Sequence, residues 1–301
     1  MKQLTPLIKE ALLDPFQFAF QIVGKYKPDW IFQRYSKKAR KQGFNKLYTI
    51  LSFDCDTPED IPAAEKIHTY LSERGMKATY AVPGHILNTG KDVFRGLSEQ
   101  GADFINHGAL PHAEKREGRY WPVTFYNDLP FPEVIDDIRK GHKIVTDITG
   151  HPPVGFRAPH FGCIQKSSIL KKINHVLREM DYRYSTSTIP FFGFRHGPVW
   201  NVNGIYEFPV SGSYNNPLQI LDSWSNIISP SLPSVRDEYA YQFIDTIKKL
   251  KKNEVSGILN YYVDPAHVVS SSSFYKAIDF LQQQEIPTLY YGDAIKLREG
   301  S

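Results

Sequence analysis

The side chains best suited to chemistry stand at the ends of apolar runs. Asp54-Cys55-Asp56 follows Leu47 to Phe53, and Asn106-His107 opens a stretch that reaches His112. Arg157-Ala158-Pro159-His160 and Asp264-Pro265-Ala266-His267 close two later runs. Brought onto one rim, these groups suit metal-assisted hydrolysis. A divalent ion held by one carboxylate and two neutral imidazoles keeps positions open, polarises a carbonyl and lowers the pKa of water towards about 7. A second carboxylate off the metal can then take the proton.

Each group also has a structural reading. In Asp54-Cys55-Asp56 alternate side chains share a direction, so both carboxylates face one site while Cys55 faces away; equally, Asp-x-Asp-Thr-Pro serves as a turn or helix cap. His107 and His112 are five residues apart. On a helix that spacing turns them roughly 140° from each other, so sharing a metal requires a loop, and Gly108 and Pro111 supply one. Arg157 at a strand end can hold a carboxylate ionised and oriented, or form a plain surface ion pair.

The elements that must position these groups are short β-branched or aromatic runs alternating with stretches of helical spacing. Strands are expected at 47–53, 78–82, 102–106, 153–157, 182–186, 205–210, 256–263 and 287–290, and helices at 62–74, 90–100, 132–148, 165–180, 236–252 and 271–284. Such alternation implies a mainly parallel sheet, and seven or eight strands favour a closed or nearly closed barrel, whose site lies at the C-terminal ends of the strands. No GxGxxG follows the first strand and there is no P-loop, so nucleotide binding has no warrant.

With 301 residues, 41% hydrophobic and 23% charged, the chain can build a large core and is neither disordered nor fibrous. Two cysteines, Cys55 and Cys163, are too few for a disulfide framework or a four-cysteine zinc site. Lys9, Glu10 and Asp14 interrupt any signal-like apolar run, which gives an expectation of cytoplasmic location. Residues 1–43 carry nine Lys/Arg against three Asp/Glu, whereas the remainder sums to −2. This basic, aromatic-rich extension is read as helical and separate from a barrel at 44–301. Two alternatives stand for it: a helix pair packed over one end of the barrel, or peripheral contact with an anionic membrane. No nucleic-acid motif accompanies the charge.

The motifs resemble those of the polysaccharide deacetylase family, carbohydrate esterase family 4. Ser52-Phe53-Asp54-Cys55-Asp56 is similar to its first motif, Asn106-His107 with His112 to its second, and Phe156-Arg157-Ala158-Pro159-His160-Phe161-Gly162 to its third. Weaker echoes lie in Leu177 to Ser185 and Tyr206 to Val210. The resemblance implies a distorted seven- or eight-stranded (β/α) barrel with one divalent metal, commonly zinc. It implies Asp54 as general base, Asp56, His107 and His112 as ligands, Arg157 orienting Asp54, and the His160 backbone N–H stabilising an oxyanion. Three features depart from the family: the longer histidine spacing, Cys55 between the carboxylates, and Asp264 where a histidine normally precedes proline, with His267 or Asp264 as its substitute.

The expected activity is removal of an N-acyl (acetyl or formyl) or O-acetyl group from a sugar or polysaccharide precursor. The alternatives are a catalytically impaired carbohydrate-binding protein of the same fold and a metal-independent amidohydrolase. The expected partners are a carbohydrate substrate and no nucleic acid, with a membrane surface and a second copy of the chain left open. Aromatics at Tyr120, Trp121, Phe125 and Tyr126 are placed to stack on sugars or to seal the barrel rim.

Overall fold

A computed structural model describes residues 15–165, 167–229 and 232–301. Its strands are β1 (Leu47–Asp54), β2 (Thr79–Val82), β3 (Asp103–Asn106), β4 (Ala113–Arg116), β5 (Arg119–Pro122), β6 (Gly155–Phe156), β7 (Tyr184–Ser185), β8 (Trp200–Val202), β9 (Ile205–Glu207), β10 (Ile227–Ser229), β11 (Leu232–Val235) and β12 (Gly257–Val263). Eight of them form one curled sheet in the order β12-β1-β2-β3-β6-β7-β9-β8, and only β8 runs antiparallel to its neighbour. The (β/α) barrel expected from the alternation, in the distorted form that the resemblance implies, is therefore borne out. Every residue of β1 and of β12 is buried, because each strand is covered on both faces.

Asn260 makes the closure through both its backbone and its side chain. Ser211 N–H donates to the Asn260 carbonyl at 2.9 Å, and the Asn260 amide donates to the carbonyls of Phe208 (3.1 Å) and Pro209 (3.2 Å). Asn260 on β12 thus bridges to the segment after β9. The strand expected at 287–290 contributes a single parallel bridge, Thr49 to Thr288. Asp54 ends β1 and Asp264 follows β12 at the same rim.

The N-terminal region is helical, as Pro15–Tyr26 and Pro28–Arg40. The second helix buries Ile31, Phe32, Tyr35 and Ala39. Tyr35 donates to the Ile258 carbonyl (2.7 Å) and accepts from its N–H (3.1 Å), so this helix seals the barrel at the start of β12, the end away from Asp264. Residues 1–14 of the basic extension lie outside the described residues. Among the described residues no helix is long and apolar enough to cross a membrane.

Two hairpins lacked a strand signal in the sequence. β4–β5 (Ala113–Arg116 with Arg119–Pro122) and β10–β11 are two-stranded and stand outside the main sheet. The β4–β5 strands are mostly exposed and charged, so no apolar alternation marks them. The helix Phe131–Thr149 begins with proline in its first turn and ends at Gly150, whose φ of 79° is the left-handed conformation that stops a helix.

Candidate metal centre

Three neighbouring loops at the C-terminal rim deliver the site. Asp54 ends β1 and Asp56 follows it; Cys55 between them points into the main hydrophobic core. His107 follows β3, and His112 lies beyond the turn at Gly108. Arg157 follows β6. His107 Nε2 lies 3.7 Å from Asp56 Oδ1 and 3.8 Å from Asp54 Oδ2, while His112 Nδ1 lies 3.2 Å from Asp56 Oδ1. Asp56, His107 and His112 each offer a ligand atom within 4.8 Å of the others.

These residues fit a cation. Tetrahedral zinc with bonds near 2.1 Å places its ligand atoms about 3.4 Å apart, close to the separations around Asp56 Oδ1. His112 turns Nδ1 to Asp56 Oδ1 and so would offer that nitrogen to the cation. His107 Nδ1 is turned to the Arg157 carbonyl at 2.8 Å. It must be the protonated nitrogen, which leaves the Nε2 lone pair facing the carboxylates. Burial and neighbouring His112 hold the His107 imidazole well below its ordinary pKa, so it is neutral and able to ligate.

The two carboxylates are pushed apart. Burial raises the Asp54 carboxyl to about 6, against the pull of Arg157 and with a further push from Asp56. Burial opposes ionisation of Asp56 as well, but the charge and hydrogen bond of His112, with His107 and His160, hold it well below the usual carboxylate range. Asp54 is thus the more basic member.

Arg157 is fully buried. Nη1 donates to Asp54 Oδ1, and Nη2 donates to Ser52 Oγ (2.8 Å) and Tyr291 Oη (3.0 Å). The rings of Phe161 and Tyr262 lie 5.4 and 5.5 Å from its guanidinium carbon. Tyr291 in turn donates to Asn260 Oδ1 at 2.8 Å, linking this ion pair to the barrel closure. Nothing in the local sequence singles out Tyr291 or Asn260.

His160 has a left-handed φ of 55°, its Nε2–H donates to the Val123 carbonyl at 2.6 Å, and its ring packs 4.4 Å from Phe125. It lines a cavity of about 330 Å³ at the candidate metal site, walled also by Asp56, His112, Phe161, Trp224 and Tyr262. An adjoining cavity of about 490 Å³, sharing Pro122 and Trp224, is lined by Tyr120, Trp121 and His267. Tyr120 and Trp121 of β5 therefore face a cavity beside the candidate metal site.

His267 and Asp264 do not join the ligand cluster. Both bind Ser223: His267 Nδ1 at 3.0 Å, and Asp264 through Oδ1 at 3.3 Å and its N–H at 3.0 Å. Burial lowers His267 to about 4 and, with the Asp60 and Asp56 charges, pushes Asp264 well above the ordinary carboxylate range. Asp60 ties this loop to the first motif, accepting from Thr57 N–H (2.9 Å), Thr57 Oγ1 (2.7 Å) and Ala266 N–H (2.8 Å). A sequence signal for Asp60 existed only as an acidic residue in a helix's first turn.

Fold and site together define a curled (β/α) barrel that gathers a potential metal-binding set, Asp56, His107 and His112, at the C-terminal rim of its strands. Residues 41–185 match the polysaccharide deacetylase family model. That match bears out the resemblance carried by the motifs within residues 41–185. The matched segment holds Asp54, Asp56, His107, His112, Arg157 and His160 and stops short of Ser223, Asp264 and His267. No curated protein matches the chain. Among solved structures, a Mycobacterium smegmatis protein of polysaccharide deacetylase designation is similar over 85% of this chain and 92% of its own, at 14% identity and a TM-score of 0.64. Peptidoglycan deacetylase PdaC from Bacillus subtilis is similar over 85% and 93%, at 15% identity and 0.51. BA3943, a CE4 family pseudoenzyme from Bacillus anthracis, is similar over 83% and 66%, at 12% identity and 0.52. These likenesses establish the fold.

Proposed function

We propose that the chain is a metal-dependent deacylase that hydrolyses an N-acetyl, N-formyl or O-acetyl group on a sugar or polysaccharide precursor. The observation that carries this reading is the convergence of Asp56, His107 and His112, with the Asp54–Arg157 pair beside them. A divalent cation held by those three side chains, zinc by the character of the donors, supplies Lewis-acid polarisation of the acyl carbonyl.

The chain's own groups do the rest. Arg157 engages Asp54 Oδ1, leaving Oδ2 towards His107. That free oxygen takes a proton from the attacking water as its oxygen bonds to the carbonyl carbon. No described residue accepts a hydrogen bond from the His160 N–H, which is available to donate to the developing oxyanion. The departing amine or alcohol needs a proton, for which Asp264 is the better candidate: burial and the neighbouring carboxylates favour its protonated form, whereas burial favours the neutral form of His267.

A direct test measures zinc content and acetate release from N-acetylated glucosamine oligomers. The expected result is one zinc per chain and turnover, both lost in His107→Ala. Zinc retained by His107→Ala would remove the site assignment, and sugar binding without turnover by the zinc-loaded chain would favour the impaired-enzyme alternative.

Exposed Ile22, Tyr26 and Trp30 beside Lys25 and Lys27 support peripheral membrane contact as a location for this activity. Cosedimentation with anionic but not neutral vesicles is the expected outcome, and equal recovery in both supernatants would refute it.

A further inference from the structure

The histidine loop is held by a carboxylate that belongs to neither the metal nor the reaction. Two imidazoles five residues apart reach one cation only if the chain between them is bent back and kept there. The three backbone N–H groups of the bend and the carbonyls of Gly108 and Ala109 have fixed partners. Gly108 N–H donates to Asn106 Oδ1 (2.9 Å), and the carbonyls of Gly108 and Ala109 accept from Gly84 N–H (2.9 Å) and His85 N–H (3.1 Å). The two remaining donors, Ala109 N–H and Leu110 N–H, both go to Asp137 Oδ1, at 2.9 and 2.8 Å. Tyr126 donates its hydroxyl to Asp137 Oδ2 at 2.5 Å.

Asp137 is only 2% exposed and no Lys, Arg or His pairs with it among the described residues. Three hydrogen bonds from neutral donors are what hold it in place. The backbone has been fitted to it: Gly108 has φ +76°, and a Cβ there would stand 2.3 Å from Asp137 Oδ2. Gly141, one turn along the same helix, lets that helix approach until its own Cβ would meet the Gly108 carbonyl at 2.7 Å. Leu110, tied by its N–H, turns its side chain outward and is 41% exposed, so the bend is fixed from the backbone side and not by packing of its tip.

We propose that Asp137, clamped by Tyr126, is the positioning residue that brings His107 and His112 onto one cation by holding the 108–110 bend through its two amide hydrogen bonds. This rests on the metal-site reading above. Asparagine at 137 can reproduce the arrangement, its Oδ1 accepting both amides and its Nδ2 donating to the Tyr126 oxygen; alanine cannot.

The test reads the metal directly in the full-length chain. Zinc affinity is measured by chelator competition, and site geometry by the visible absorption spectrum of the cobalt-substituted protein. Asp137→Ala is expected to lose about 10–100-fold in zinc affinity, the range found for groups behind metal ligands, and to alter the cobalt spectrum. Asp137→Asn is expected to stay within a few-fold of the unaltered chain. Unchanged affinity and spectrum in Asp137→Ala would overturn the proposal, as would an equal loss in Asp137→Asn. Should Asp137→Ala not fold, Tyr126→Phe, which leaves Oδ2 without its donor, is read by the same criteria: weaker zinc and a changed spectrum support the clamp, and no change in either overturns it. His107→Ala separates the two levels, because zinc retained there sinks the metal-site reading itself, whereas zinc lost there but unaffected by Asp137→Ala sinks only the clamp.

Discussion

The Arg157 carbonyl accepts a hydrogen bond from His107 Nδ1 at 2.8 Å while the guanidinium of the same residue grips Asp54. One residue just after β6 therefore sets both the tautomer of an imidazole in the candidate metal site and the orientation of the Asp54 carboxylate. The backbone does the first and the side chain the second, so substitution separates them.

Arg157→Ala should leave the His107 contact intact but strand the Asp54 carboxylate in a buried site. Removing one partner of a buried ion pair costs about 3–5 kcal/mol. Chemical denaturation should report a loss of that size, and turnover should fall to background. A variant as stable as the parent would show that Arg157 contributes little to the fold.

Asp54→Asn and Asp56→Ala should part company. The first removes the base and is expected to lower turnover by about 10²–10⁴-fold with zinc still bound; the second should release zinc. Metal analysis alongside acetate release decides it, and loss of zinc from Asp54→Asn would reverse the two roles.

Exhaustive chelation should abolish turnover and lower the melting temperature, with both restored by added zinc, since a ligand bound only by the folded state stabilises it by mass action. Full activity in the chelated protein would instead support the metal-independent amidohydrolase.

Burial holds His267 to about 4, below the ordinary 6.5. Its neutral form is the one the fold favours, so its contribution to stability is whole above about pH 6.5 and is lost as pH falls through 4. His267→Asn cannot titrate. Between pH 7.5 and 4.5 its stability relative to the parent should therefore rise, by on the order of 2 kcal/mol. A pH-independent difference in denaturation would contradict the burial argument.

Gly108→Ala places a methyl against Asp137 and forces a left-handed φ on an L-residue. A cost of about 1–3 kcal/mol is expected, together with weaker zinc binding. Unaltered melting and zinc affinity would mean that the 108–110 bend relaxes freely.

The sequence by itself determined the barrel and the identity of the chemical groups. Short apolar or β-branched runs such as Leu47 to Phe53 alternate with stretches of helical spacing, both local properties, and the rim residues follow those runs directly. Asp137 left a fainter trace, as a carboxylate within the buried stripe Val134, Ile138, Gly141 and Val145 of one helix. Only the tertiary structure decided what that carboxylate holds, which of Asp54 and Asp56 is the more basic, and that Asn260 and Tyr291 join the ring closure to Arg157. Those outcomes depend on partners 28 residues away for Asp137 and 103 and 134 away for Arg157. Hydrogen bonding and burial at such separations are set by which strands lie side by side, and no local period records that.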